Sequence, residues 1–309
     1  MKQRSLGSLS VSEVGVGCNN FGSRLDHVGA LVVVNGALES GVNFFDTADI
    51  YGGTKSEVFL GEALGARRSD VVIATKFGMP IDDTHFGAKP DYVRWACEGS
   101  LRRLNTDYID LYQLHYPDET TPIADTLGAL QELVAAGKVR EIGCSNFTAD
   151  QLREAKAAAG SGPSFVSVQN QYSLLERAPE RDGVLAACEE LGIGFLPFYP
   201  LANGLLTGKV RPGEPLPEGT RLANMPEERR AHWLSDEFYG RVSSLLSYSE
   251  DTHVPILTYA FSWLLSHPAV ASVIAGASSA DQIRANVNSV KELTDDQVEE
   301  LNRLSGAAS

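Results

Sequence analysis

Val71-Val72-Ile73-Ala74-Thr75-Lys76 decides the fold: a short apolar run, too brief for a helix of its own, stops abruptly at a cation. The same event recurs along the chain. Val42-Asn43-Phe44-Phe45 leads to Asp46, with Tyr51 just beyond, and residues 108–114 lead to His115. Further runs stop at Ser145-Asn146, at Gln169-Asn170, at Phe198-Tyr199 and at Gly276-Ala277-Ser278. Strand-like segments thus fall near residues 14–16, 43–45, 71–75, 108–114, 139–143, 165–168, 194–198 and 271–274. Between them apolar residues return at helical spacing, as in Val93, Cys97, Leu101 and Leu104, or Ile123, Leu127, Leu130 and Val134. Eight strands alternating with helices predict an α/β fold, a (β/α)8 TIM barrel, that takes residues 1–309 as a single domain. A short hairpin at Gly7-Ser8 precedes it, and extra helices are expected after the seventh barrel strand and at the C-terminus. In a parallel barrel every strand C-terminus opens on one face, so the polar stops meet at a single mouth.

Boundary signals agree with this alternation. Thr148 with Gln151, Ser279 with Gln282 and Thr294 with Gln297 fit capping boxes, and Gly41 and Gly137 stand where helix C-caps belong. The Pro- and Gly-rich residues 211–226 follow the seventh strand, where long loops serve as lids or ligand clasps. Apolar residues make up 43% of the chain and charged residues 21%, which excludes disorder and supports a large core. Forty Asp and Glu against 26 Lys and Arg leave a net charge of −14, which disfavours nucleic acid and anionic membrane as partners. An anionic ligand therefore requires a local site. Residues 254–277 are apolar, but His267 and Pro268 interrupt them, so they read as a buried helix followed by a strand. The N-terminus carries no apolar stretch of the secretory kind, and the four cysteines show neither CxxC spacing nor a disulfide pattern; a cytoplasmic protein is expected.

A Tyr, a Lys, an Asp and a His at one mouth make sense as a proton-transfer device. Tyrosine titrates near 10, and bringing it to about 7 requires ~4 kcal/mol. An ammonium at ~4 Å in an effective dielectric of about 20 supplies roughly 4 kcal/mol to a phenolate. Lys76 is expected to lower the pKa of Tyr51 in this way, Asp46 to keep Lys76 charged and aimed, and a neutral His115 to orient a carbonyl oxygen. Taken singly, Asp46 reads equally as a turn residue and Lys76 as a solvated charge; their convergence is what favours chemistry.

Asp46-Thr47-Ala48-Asp49-Ile50-Tyr51-Gly52, Ala74-Thr75-Lys76, and Ser100-Leu101-Arg102-Arg103-Leu104 with the run from Tyr108 to His115 together resemble the aldo-keto reductase superfamily. The resemblance continues through residues 142–147, 168–172 and 200–208 and covers nearly the whole chain. It implies a barrel that reduces aldehydes or ketones with a nicotinamide cofactor laid across the mouth. On this likeness Asp46, Tyr51, Lys76 and His115 are catalytic, with Tyr51 as the proton donor. Ser145, Asn146 and Gln169 hold the nicotinamide carboxamide, and Phe198 stacks on its ring. Gly17, Cys18, Tyr199, Leu201 and Gly204 complete the cradle, and Gly276, Ser278, Gln282 and Asn286 hold the adenosine-phosphate end. Some relatives place a lysine where Gly276 stands and an arginine where Gln282 stands. NADP is then expected to lean on Ser278, the helix N-terminus and Arg284, with NAD as the alternative cofactor. Asn20, Phe21, Ile50, Phe77 and Tyr116, with Phe147, are the expected substrate pocket, and an ending at Ser309 suggests an open mouth.

Other motifs fail on inspection. Gly15-Val16-Gly17 has Asn20 where a third glycine belongs, Gly204 to Val210 is one residue short of a P-loop, and the histidines lack metal-ligand spacing, so no metal is expected. A small-molecule carbonyl substrate is the expected partner, with oligomeric state left open. Two other functions fit the same residues: a cofactor-binding, redox-sensing subunit of a channel, against which the lack of a long N-terminal extension counts mildly, and a lyase or isomerase that uses no nicotinamide.

Overall fold

The computed structural model describes residues 1–306. A hairpin of β1 (Gln3–Leu6) and β2 (Leu9–Ser12) is followed by the barrel strands. These are β3 (Val14–Gly17), β4 (Phe44–Asp46), β5 (Val72–Phe77), β6 (Ile109–Leu114), β7 (Val139–Ser145), β8 (Ser167–Gln171), β9 (Gly194–Phe198) and β10 (Val273–Gly276). All eight pair in parallel in the order β10-β3-β4-β5-β6-β7-β8-β9. The remaining seam, between β9 and the approach to β10, is tied by Phe195 N donating to Ala269 O (2.7 Å) and Ala271 N donating to Phe195 O (2.9 Å). This is the (β/α)8 TIM barrel read from the sequence.

Eight strand runs were expected and eight are present, with β8 and β10 shifted toward the mouth and β5 and β7 each running two residues past the expected end. The expected segment at 165–168 becomes Ser167–Gln171 because the polar Gln169, Asn170 and Gln171 keep the ladder, pairing with Leu196, Pro197 and Phe198. Similarly, Ala275 and Gly276 pair with Val16 and Gly17 beyond the apolar run. Backbone hydrogen bonds do not require apolar side chains, so a reading by polarity marked the ends of β5, β7, β8 and β10 too early.

Helices α1 (His27–Glu39), α2 (Lys55–Leu64), α3 (Pro90–Leu104), α4 (Ile123–Ala135) and α5 (Ala149–Ala158) follow successive strands. After β8 come α6 (Ala178–Arg181) and α7 (Val184–Leu191); after β9 come α8 (Glu227–Trp233), α9 (Asp236–Thr252) and α10 (Ile256–Leu265). The chain then runs through β10 to α11 (Ala280–Ser289) and α12 (Asp295–Leu304). Of these, α8, α9 and α12 are the extra helices expected after the seventh barrel strand and at the C-terminus. Residues 254–277 form α10 and β10, as read. No helix among the described residues is long and apolar enough to cross a membrane.

Reciprocal capping boxes start α5 and α12, whereas the third expected box is only half made. Ser279 accepts from Gln282 N, but the Gln282 side chain turns to Ser278, its Oε1 accepting from Ser278 N at 2.9 Å. Two cores result from the layering. One lies inside the barrel, where Leu6, Leu9 and Val11 of the hairpin plug the end opposite the mouth against Phe44, Leu111, Leu196 and Ile274. The other lies between strands and helices and includes the predicted faces of α3 and α4. At the plug, Gly194 leaves room for the hairpin: a Cβ there would stand 2.3 Å from Leu6 Cδ1, and the leucine side chain would have to shift.

Candidate active site

β4 and β5 lie side by side with Asp46 opposite Ala74, so their ends deliver Asp46 and Lys76 to the same place. Lys76 is fully buried, and its Nζ donates to Asp46 Oδ2 at 2.6 Å and to Thr47 O at 2.9 Å. The other carboxylate oxygen, Oδ1, accepts from Gln169 Nε2 at 2.8 Å and from Gln113 Nε2 at 3.4 Å. A buried ion pair survives only when its remaining lone pairs are met in this way. Tyr51 comes from the turn after β4, which is sewn to β5 by Thr47 N donating to Ala74 O (2.8 Å) and Asp49 N donating to Lys76 O (3.0 Å). The ammonium of Lys76 lies 5.1 Å from the centre of the Tyr51 ring. His115, just past β6, meets the Tyr51 ring edge-on with centroids 5.8 Å apart.

The electrostatics hold one surprise. Burial lowers the pKa of Lys76, but Asp46 and Tyr51 outweigh it and hold the ammonium above its ordinary value, so this cation stays charged. For Tyr51, burial raises the pKa, Lys76 pulls it down and Asp46 pushes it back up; the net direction is upward. The expectation that Lys76 brings the phenol toward neutrality is therefore corrected for the protein alone: burial outweighs the pull of Lys76, and Asp46 offsets part of that pull. Burial, then Lys76, takes His115 down to about 3. Its Nδ1 is shut in without a hydrogen-bond partner among the described residues, which favours the neutral tautomer with the proton on Nε2. With its pKa depressed, His115 stays neutral throughout the pH range of ordinary assays. Activity is accordingly expected to show no acid limb from His115 at the usual imidazole value of about 6.5; an acid limb there, removed by His115→Asn, would overturn this.

Above these groups opens a cavity of about 1250 Å³ at the strand C-termini. Asp46, Tyr51 and His115 line it, with Lys76 behind them. So do the expected cradle residues Gly17, Ser145, Asn146, Gln169, Phe198, Tyr199, Leu201, Gly204, Gly276, Ser278, Gln282 and Asn286. Asn146 takes a left-handed backbone (φ 63°), and its Nδ2 donates to His115 O at 3.0 Å and to Ser145 Oγ at 3.1 Å. After β9 the backbone is strained through Tyr199 (φ 51°), Ala202 (φ 45°) and Asn203 (φ 56°), and Asn203 Oδ1 is buried without a partner among the described residues. Such strain persists where the surroundings impose it, and it clusters at ligand clamps.

Several expected residues lie elsewhere. Cys18 and Phe21 are fully buried in the outer core, where an apolar side chain just past a strand is drawn under the helices. Phe77 is likewise buried, stacked on Tyr112 with centroids 4.6 Å apart, and Phe147 packs edge-on against Phe165. Ile50 is half-buried but does not line the cavity. Arg284 is turned away to Asp281 at 2.6 Å. Of the expected substrate pocket, Asn20 and Tyr116 line the cavity, joined by Asn19 and Met79.

The sequence reading missed four cations that also line it: Arg24, Lys209, Arg221 and Arg229. Among the described residues none of the four is in an ion pair. Arg24 Nη2 donates to Gly219 O at 2.8 Å, tying the loop after β3 to residues 211–226, and the Arg221 guanidinium lies 4.8 Å from the centre of the Tyr199 ring. Their signal in the sequence was present but diffuse: they are scattered over loops that only the fold brings together. Among the described residues no three His, Cys, Asp or Glu side chains group as metal ligands.

Comparison with known proteins places this geometry. The chain is 35% identical to an uncharacterized oxidoreductase of Bacillus subtilis, YrpG, over 94% of its own length and 90% of the relative's. It is 33% identical to a probable voltage-gated potassium channel subunit beta of Oryza sativa, over 94% and 91% of the two chains. The solved holo form of the aldo-keto reductase AKR11C1 from Bacillus halodurans superposes with a TM-score of 0.82 at 35% identity, covering 100% of this chain and 97% of that one. Residues 13–305 match the description of one family, and the chain belongs to it: the Aldo/keto reductase family.

Proposed function

We propose that this protein reduces aldehyde or ketone carbonyls to alcohols with NADPH, using Tyr51 as the proton donor. The observation that carries the reading is the buried Asp46–Lys76 pair set directly beneath the Tyr51 ring, with neutral His115 beside it. A general acid must hold its proton until negative charge develops on its target. The raised pKa of Tyr51 fits that requirement, because an alkoxide is far more basic than a phenolate and transfer runs downhill once the carbonyl oxygen takes on charge. Lys76 then stabilises the phenolate left behind. His115 Nε2–H orients the same carbonyl oxygen.

The residues present fit a nicotinamide dinucleotide. The cations that line the cavity without an ion pair call for an anionic ligand on an otherwise acidic protein, and the buried Asn203 Oδ1, without a partner among the described residues, calls for a hydrogen-bond donor such as an amide or a hydroxyl. When bound, the reduced nicotinamide supplies the hydride that goes to the carbonyl carbon. Ser145, Asn146 and Gln169 would hold its amide end and Phe198 its ring. The 2′-phosphate would fall to Ser278 N, from which Gln282 Oε1 would withdraw, and to the unpaired cations. NADPH is expected to bind more tightly than NADH, with the gap narrowing as salt rises, read by fluorescence titration. Equal dissociation constants at low salt would overturn the choice of NADP.

A second reading is favoured by the rice relative, named as a probable channel subunit: a cofactor-bound sensor with little turnover. NADPH consumption with aliphatic and aromatic aldehydes, quinones and ketosteroids separates the two. Many turnovers per protein support the reductase; binding without turnover across the panel supports the sensor.

A further inference from the structure

Behind the catalytic turn lies a cluster that the proposed mechanism does not use. Asp49 is fully buried, and neither of its carboxyl oxygens has a hydrogen-bond partner among the described residues. The hydroxyls of Tyr92 and Tyr112 are likewise buried and unpartnered. Asp49 faces Glu57 from α2, Arg103 and Tyr92 from α3, Lys76 from β5 and Tyr112 from β6. The one guanidinium in this set is already committed: Arg103 Nε donates to Glu57 Oε2 at 2.6 Å, while Thr75 Oγ1 donates to Glu57 Oε1 at 2.6 Å. Glu57 is thus satisfied as an anion, and Asp49 is left without a cation of its own. A second carboxylate sealed beside the first, with no side-chain donor and, beyond the charges of Arg103 and Lys76, only the Ile50 amide to offset its charge, is a species the fold disfavours.

Asp49 also holds the middle of the turn that carries Tyr51. Its amide is one of the two donors that sew this turn to β5, and Tyr51 N follows by donating to Ala48 O at 3.2 Å. We propose that Asp49 is a positioning residue for Tyr51: as an uncharged carboxylic acid it lets residues 47–51 seat against the end of β5, and its ionisation unseats them. Burial first, and then the neighbouring Glu57 charge, raise the pKa of this carboxyl to about 7. The seated turn is then the form below neutrality, and a looser turn is the form above it. The effect on catalysis rests on Tyr51 being the proton donor; the conformational effect does not.

The sign for stability follows from linkage. Between about 4 and about 7 the unfolded chain has already released this proton while the folded protein keeps it, so folding is progressively disfavoured as pH rises through that window. In thermal melts Asp49→Asn, the neutral isostere, is expected to gain Tm over wild type from pH 4 to pH 7 and hold a constant gain above. A gain independent of pH would overturn the proposal. Hydrogen exchange of residues 47–53, corrected for base catalysis, should rise across pH 7 in wild type and stay flat in Asp49→Asn; flat exchange in wild type would also overturn it, and that measurement requires no variant. Turnover of wild type with NADPH and an aldehyde should fall about fivefold from pH 7 to pH 8 on this single ionisation, and Asp49→Asn should lack the fall. If the variant keeps the same inflection, the positioning role is wrong. If neither protein turns over while the melts and exchange behave as expected, the reductase reading has failed and the placement of Asp49 has not.

Discussion

Tyr51→Phe should abolish carbonyl reduction while leaving cofactor affinity nearly untouched. Phenylalanine keeps the ring whose centre lies 5.1 Å from the Lys76 ammonium and 5.8 Å from the centre of the His115 ring, so the packing of the turn is preserved. Only the acidic hydroxyl is lost. Removing a positioned general acid lowers turnover by about 10²–10⁴-fold, and the dissociation constant of NADPH should change by no more than about twofold. The two are measured separately, by single-turnover absorbance and by equilibrium fluorescence titration. Retention of more than about a tenth of the wild-type rate would remove Tyr51 from the mechanism.

Lys76→Met should have the largest effect on stability. Lys76 has no exposed surface, and methionine fills much the same volume without charge. What remains is Asp46, buried, with Gln169 and Gln113 as its only side-chain donors among the described residues. Breaking a buried pair by removing one partner destabilises by about 3–5 kcal/mol, mostly the penalty of the stranded charge. Adding Asp46→Asn should recover most of the loss, because a neutral amide can keep the bond to Gln169 without bearing charge. Urea unfolding at neutral pH tests both variants. A single variant as stable as wild type would mean that Asp46 is rehydrated or protonated when alone. The double variant should nonetheless stay inactive, since the cation under the phenol has gone.

These two results bear on one residue pair seen from two sides, and the structure shows why they belong together. Asp46 both anchors Lys76 and opposes its field at Tyr51, so the pair that secures the site also limits how acidic the phenol becomes. From the residue types alone, the Coulomb attraction of an ammonium for a phenolate was large enough to suggest a tyrosine poised near neutrality. The offset from Asp46 was expected from the residue types; burial, the largest opposing effect, was not, and neither has a magnitude until the side chains are placed.

The barrel itself was legible because it is written locally. Apolar runs of strand length, amphipathic stretches at helical spacing and caps at their ends each depend on a few neighbouring residues, and eight repetitions leave little freedom of topology. Asp46, Tyr51, Lys76 and His115 were legible for a related reason: three stand at or just past a strand end and Tyr51 lies in the turn after β4, and in a parallel barrel every strand end opens on one face. The sequence by itself therefore determined the architecture, the face that carries the site and the convergence of Asp46, Tyr51, Lys76 and His115 there. The tertiary structure alone decided which side chains beside those strand ends point into the cavity and which turn under the helices, so that Tyr116 lines the mouth while Cys18, Phe21 and Phe77 are core. It also decided that Arg24, Lys209, Arg221 and Arg229 converge, and that Asp49 is left without a partner beside a satisfied Glu57. Side-chain direction at a loop, convergence across distant segments and desolvation of a charge all arise from contacts between residues far apart in the chain, and no local pattern encodes them.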